Sequence, residues 1–312
     1  MPAFAFVFPG QGSQTVGMLD AWGDHPAVRQ TLEEASAALG EDLGRLIHEG
    51  PAEALGLTTN TQPVMLASAI ACYRAWRAEG GAEPAAVAGH SLGEYSALVA
   101  AEALSLADAL PLVRFRAQAM QQAVPVGAGA MAAILGLDAA VVAEVCTRVA
   151  AASGEPVEPA NFNDPKQTVI AGSKAGVDAA CAELKAAGAK RALLLPVSAP
   201  FHSSLMKPAA EALREKLAGV ALKSPRLPVV NNIDVAVQTE PDAIREALYR
   251  QAFGPVRWVE VTQALKARGL THIVECGPGA VLSGLVKRVD AEIVAASLNT
   301  PASLKAVQEL LA

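Results

Sequence analysis

Apolar positions along this chain follow two alternating rhythms. Residues 3–8 form an unbroken apolar run stopped by Pro9-Gly10, which reads as a buried strand. Residues 26–39 repeat with the period of a helix, and a second helical stretch starts near Gln62-Pro63 and continues to about Arg77. A short apolar strand at 85–88 leads into Gly89-His90-Ser91-Leu92-Gly93 and then an Ala/Leu-rich helix at 94–103. The next helix, 106–123, is closed by Val124-Pro125-Val126-Gly127. Strand–helix alternation of this kind predicts a parallel sheet covered by helices.

The rhythm changes at 130. A strand (130–137) is followed by a helix (138–152) capped by Asp138, then by strands at 157–161 and 167–171 around a turn at Asn163-Asp164-Pro165. A helix (174–187) ending at Gly188 and a strand (191–195) complete the order β-α-β-β-α-β, the ferredoxin-like unit. The prediction is an α/β fold in which residues 1–126 and 197–312 form a large domain and 127–196 a small inserted one. In the second part of the large domain, helices are expected at 207–217, 243–251, 256–267 and 303–311, with another running from Gly279 to Arg288. Strands are expected at 227–230, 272–275 and 292–295, the second running into Gly277-Pro278-Gly279. No internal repeat interrupts the pattern.

Composition narrows the class. Of 312 residues, 52% are hydrophobic and 18% charged, enough apolar material for a sizeable core. Aromatics are only 4%, so Ala, Leu and Val must fill that core. The net charge of −6 argues against a broad basic face and hence against nucleic acid as a partner. Cys72, Cys146, Cys181 and Cys276 form neither a C-x-x-C pair nor a zinc-type spacing, so they read as buried free thiols in a reducing compartment, with no metal. The apolar start lacks a basic region and is too short for a signal peptide, and no run approaches ~18 apolar residues. A cytoplasmic chain without a membrane partner is expected.

The chemistry begins at Ser91. Gly89-His90-Ser91-Leu92-Gly93 fits G-x-S-x-G, and the strand before it and helix after it supply the context that motif requires. The glycines allow close backbone approach, and the following helix N-terminus favours a developing oxyanion. A serine nucleophile needs a base. Of five histidines, His25 reads as surface or cap, His48 as a helix face and His272 as a satisfied core residue. His90 should point away from its neighbour Ser91, which leaves His202, on a strand-to-helix loop, as the best candidate. No acid presents itself as a third member; Asp164 is the only loop acid that fits, and Asn163-Asp164-Pro165 is more simply a turn. Gly10-Gln11-Gly12-Ser13-Gln14 fails as a dinucleotide fingerprint because residue 15 is Thr, but such a loop can offer a backbone N–H to an oxyanion. Arg114 and Arg116 flank the apolar stripe of their helix on opposite sides, and periodicity does not choose between them.

Taken together, six strings resemble the malonyl-CoA:acyl carrier protein transacylase family of fatty-acid synthesis, to which polyketide acyltransferase domains are related. They are Phe-Pro-Gly-Gln-Gly-Ser-Gln (8–14), Gly-His-Ser-Leu-Gly-Glu-Tyr (89–95), Arg-Ala-Gln-Ala-Met-Gln (116–121), Asn-Phe-Asn (161–163), Val-Ser-Ala-Pro-Phe-His (197–202) and Gly-Pro-Gly (277–279). The resemblance implies a hydrolase-like α/β domain with an inserted ferredoxin-like subdomain. It implies that Ser91 is the nucleophile, that His202 is its base, and that a backbone carbonyl at Gln251 orients the histidine in place of an acid. The N–H groups of Gln11 and Leu92 would form the oxyanion hole. Arg116, not Arg114, would grip the substrate's free carboxylate, and Met120 and Asn161 would line the pocket. Phe201 resembles the version that prefers malonyl over methylmalonyl.

The implied partners are malonyl-CoA, as a substrate with no bound cofactor, and an acyl carrier protein. Carrier proteins of this pathway are acidic, so an acidic enzyme needs a local basic patch to meet them. Lys190, Arg191, Lys287 and Arg288 are the candidates, and the chain is expected to be a monomer. The competing readings are an esterase or thioesterase using the same serine and histidine, a non-catalytic carrier-binding scaffold, and an acyltransferase of a polyketide pathway.

Overall fold

The computed structural model describes residues 2–312. Its strands are β1 (Phe4–Phe8), β2 (Ala86–Gly89), β3 (Gly129–Leu135), β4 (Val157–Asp164), β5 (Gln167–Ser173), β6 (Arg191–Leu194), β7 (Val229–Val230), β8 (His272–Cys276) and β9 (Val294–Leu298). Helices in the first half are α1 (Pro26–Leu39), α2 (Leu43–Glu49), α3 (Ala52–Gly56), α4 (Thr58–Ala78), α5 (Gly93–Ala100), α6 (Leu106–Gln122) and α7 (Ala139–Ser153). The second half adds α8 (Lys174–Ala186), α9 (Lys207–Ala218), α10 (Pro241–Phe253), α11 (Trp258–Ala267), α12 (Val281–Val289) and α13 (Pro301–Leu311).

Side chains alternate across a strand, and β1 shows what that does here. Phe4, Phe6 and Phe8 enter the core on one face, where the Phe6 ring meets Trp76 of α4 edge-on at 5.6 Å. Ala5 and Val7 enter a second core on the other face with Trp258, Val261 and Leu265 of α11. Both faces are therefore apolar, as a central parallel strand requires, and burying each ring contributes roughly 1.5–3 kcal/mol. β1 lies in the middle of a five-stranded sheet of order β7-β2-β1-β8-β9, with every pair parallel. Phe8 pairs with Gly89, so the loops leaving the C-terminal ends of β1 and β2 emerge side by side.

The second sheet has the order β4-β5-β3-β6 and is antiparallel throughout. With α7 and α8 between its strands it is the ferredoxin-like unit. One face packs on these helices through Ile134, Val145 and Ile170. The other face carries Met131, Ala160 and Val169 toward Phe201. β4 is tied to the α10–α11 connection where Val256 N donates to Ala160 O and Phe162 N donates to Val256 O, both at 2.9 Å.

Several expectations shift. The helix expected from Gln62 begins a turn earlier at Thr58, with Pro63 inside it, and α2 and α3 were not anticipated. The last strand starts at Val294 instead of 292, and Asp290 and Glu292 ahead of it pair with Lys266 at 2.5 and 2.6 Å. β4 runs on to Asp164, which is buried and accepts from Arg288 at 2.6 Å instead of sitting in an open turn. Asp138 holds the cap position of α7 but makes no capping bond; it pairs with Lys166 at 2.8 Å. Cys181 is only half-buried. Among the described residues no helix is long and apolar enough to cross a membrane.

Candidate active site

Ser91 lies on the hinge between β2 and α5 with φ 52°, a left-handed conformation that costs a non-glycine residue about 1–3 kcal/mol. The flanking glycines are a steric necessity. A Cβ on Gly89 would lie 1.9 Å from the Gly93 backbone, and one on Gly93 would lie 2.0 Å from Phe8 O. The strained turn is held from the side by Asn232, just beyond β7. Its Oδ1 accepts from Ser91 N and its Nδ2 donates to Gly89 O, both at 2.7 Å.

His202 reaches the serine from the loop before α9, also in a left-handed conformation with φ 60°. Its Nε2 is 2.6 Å from Ser91 Oγ. Its Nδ1 faces two backbone carbonyls, Gln251 O at 3.0 Å and Gly254 O at 3.1 Å. Carbonyls only accept, so the proton belongs on Nδ1 and the Nε2 lone pair is turned to the serine. Burial, with Arg116 and His90 nearby, pushes the imidazole pKa down to about 3. The resting base is neutral.

The choice between the arginines is resolved by packing. Arg114 turns outward to a two-bond pair with Glu41 at 2.7 and 2.8 Å. Arg116 is 2% exposed and turned into the cleft. Its Nη1 donates to Gln62 Oε1 at 2.9 Å, and its Nη2 to Gln251 Oε1 at 3.1 Å and Ser91 Oγ at 3.2 Å. The Tyr95 ring lies 5.5 Å from the guanidinium carbon.

These groups converge in a cleft of about 470 Å³, also lined by Met120, Met131, Asn161 and Phe201. Gln11 and Leu92 line it too, and among the described residues neither backbone N–H has a hydrogen-bond acceptor. His90 points away from Ser91 Oγ: its Nε2 is 2.9 Å from Asn163 Oδ1 and its ring packs on Trp258. His25 and His48 lie outside the cleft, near Glu79 and Asp20 respectively. His272, expected in the core, is half-exposed at the start of β8, 2.8 Å from Thr271 Oγ1.

The sequence pattern did not single out Gln62, Glu94 or Asn232. Two signals were available. Glu94 is a lone acid in an otherwise apolar helix start, and Asn231-Asn232 stands at the C-terminal end of a parallel strand, where ligand sites gather. Burial pushes the Glu94 pKa up to about 7.

A family profile described as an acyl transferase domain matches residues 5–299. The malonyl CoA-acyl carrier protein transacylase of Escherichia coli (strain K12) is 54% identical over 311 residues, covering 99% of this chain and 100% of that one. The chain belongs to this transacylase family. A crystal structure of the acyl-carrier-protein S-malonyltransferase from Burkholderia pseudomallei superimposes with a TM-score of 0.97 at 64% identity, covering 98% of this chain and 99% of that one. A malonyl-transacylase solved in complex with a type II PKS acyl-carrier protein superimposes at 0.96 with 48% identity, covering 99% of both chains. In this transacylase the nominated basic residues are all exposed. Gly136, which packs against Lys190, donates its N–H to Lys166 O at 2.7 Å, while Arg288 is tied to Asp164.

Proposed function

We propose that this chain transfers a malonyl group from malonyl-CoA to the phosphopantetheine thiol of an acyl carrier protein, with Ser91 as the covalent carrier, and so supplies fatty-acid elongation. His202 Nε2 takes the Ser91 proton as Oγ attacks the thioester carbon. The oxyanion is received by the N–H groups of Gln11 and Leu92. The C–S bond breaks, the CoA sulfur takes the proton back from His202, and malonyl-Ser91 remains. The carrier thiol then gives its proton to His202, attacks the ester and restores Ser91. In this family-wide cycle the Gln251 and Gly254 carbonyls do the orienting usually given to a carboxylate.

One observation carries the malonyl reading: a buried guanidinium lies 3.2 Å from the nucleophile. The malonyl carboxylate carbon is two C–C bonds from the thioester carbon, about 2.5 Å away at ordinary bond lengths. A cation that close to Oγ suits a short diacid and no longer one, and two parallel N–H donors match a carboxylate. Met120, Asn161 and Phe201 bound the space beyond, and Phe201 leaves little room for an α-methyl group. We assign 1–126 and 197–312 to the nucleophile-bearing domain and 127–196 to a small subdomain over the cleft. Lys190, Arg191, Lys287 and Arg288 are assigned to the carrier protein.

The test is intact mass after brief mixing with malonyl-CoA. The unaltered chain should gain one malonyl increment, Ser91→Ala none, and Arg116→Ala much less. Fast CoA release with no adduct would instead mean a thioesterase.

A further inference from the structure

Glu94 occupies the first turn of α5, three residues beyond the nucleophile, and is 2% exposed. Its neighbours on that helix, Tyr95, Ala97 and Leu98, are apolar or aromatic, and burying a carboxyl among them is unfavourable unless its oxygens are used. One of them, Oε2, is used on two amide donors. Glu94 Oε2 accepts from Asn232 N at 2.8 Å and from Gln251 Nε2 at 3.0 Å.

The second contact reaches the substrate clamp. A primary amide can be placed either way round, and its neighbours decide which. The Gln251 nitrogen faces two acceptors, Glu94 Oε2 and Ser91 O, the latter at 3.1 Å. The Gln251 oxygen therefore faces Arg116 Nη2, at 3.1 Å. Turned over, the amide would set donor against donor at Arg116 and oxygen against oxygen at Glu94. Arg116 offers only donors, so besides Ser91 Oγ its position rests on two acceptors: Gln62 Oε1 and a Gln251 Oε1 whose direction Glu94 fixes together with Ser91 O.

We propose that Glu94 is a positioning residue for malonyl selectivity: acting through the Gln251 side chain, it holds the Arg116 guanidinium where a malonyl carboxylate meets it. This rests on the roles given above to Ser91 and Arg116. Glu94 touches neither Ser91 Oγ nor the open cleft. The main-chain carbonyl of Gln251 serves His202, so this one residue ties the base to the clamp by two separate groups.

The experiment compares Ser91 acylation by malonyl-CoA and by acetyl-CoA, followed by rapid-quench intact mass on the same preparation. Acetyl lacks the carboxylate, so the ratio of the two rates reads the Arg116 contact. A loss of folded protein, or a disturbed Ser91 turn, lowers both rates and cancels. Glu94→Ala should lower the malonyl-to-acetyl ratio by about tenfold or more, the worth of one charge-assisted hydrogen bond. Gln251→Leu, which keeps the carbonyl on His202, should lower it as far, and the double variant no further, as expected of one linked path. Glu94→Gln keeps an oxygen in place without the charge and should hold the ratio within about twofold of the unaltered chain. The proposal is overturned if Glu94→Ala lowers both rates alike, which is a structural role only. It is equally overturned if Glu94→Gln loses the ratio as Glu94→Ala does, for then charge and not acceptor placement matters. No malonyl adduct on the unaltered chain overturns the acyl-serine reading itself, and this proposal with it.

Discussion

Replacing Asn232 should damage both the fold and the nucleophile, by amounts the hydrogen bonds define. Asn232 is fully buried, and its side chain makes the two 2.7 Å bonds that clamp Ser91 N and Gly89 O. Asn232→Ala removes both and leaves a backbone donor and acceptor buried without partners. At about 1–3 kcal/mol for each orphaned group, the expected loss is about 2–6 kcal/mol. Part of that loss can be avoided if Ser91 relaxes from φ 52°, which relieves about 1–3 kcal/mol of strain but moves Oγ away from His202. The two readouts are therefore linked. Urea unfolding should show a lower midpoint at unchanged slope, and acylation of the folded fraction should fall by at least about tenfold. Asn232→Asp sharpens the test because its shape is the same. One carboxylate oxygen can still accept from Ser91 N, but the other would face Gly89 O, with the Glu94 carboxyl close behind. It should be at least as destabilised as Asn232→Ala. Asn232→Ala within about 0.5 kcal/mol of the unaltered chain, with normal acylation, would refute the clamp; so would a fully stable Asn232→Asp.

Two further outcomes follow from the electrostatics. His202 is held down to about 3, so the acid limb of kcat/KM for malonyl-CoA should lie well below the ordinary histidine value of about 6.5, and an inflection near 6.5 would refute the resting-state assignment. The same shift means the unfolded chain takes up this proton first, so His202 lowers stability as pH drops from about 6.5 toward 3; Glu94, raised to about 7, acts in the opposite sense above about 4.5, so the loss should show below about 4.5, where denaturation midpoints would register it. At the basic patch, reversing Lys190, Arg191 and Lys287 to Glu should raise the KM for carrier protein far more than it slows self-acylation, and more so at low salt. Equal loss in both half-reactions would remove these residues from the docking surface.

Local rules are legible in this chain wherever sterics or burial act over a few residues. The run at 3–8 reads as a buried strand, and β1 is one, buried along its whole length. Gly89 and Gly93 had to be glycine for a strand to turn into a helix within van der Waals contact of β1, so the nucleophile turn could be read directly. The β-α-β-β-α-β order could be read from its alternating periods, and its strands pair as that unit requires. What could not be read locally is what meets what across the chain. His202 lies 111 residues from Ser91, and the carbonyl that orients it 49 residues further on. Arg114 and Arg116 stand two residues apart on one helix and are equivalent by periodicity. They differ only because Glu41 meets one at the surface while Gln62, Gln251 and Tyr95 meet the other in the interior. Asn232 lies in no motif, and Glu94, though it falls within the 89–95 string, has no role that the string by itself assigns. Their meaning comes from hydrogen-bond partners supplied by distant segments, since a buried polar group is defined by what satisfies it, and that is decided only when β2, α5, β7 and α10 pack together.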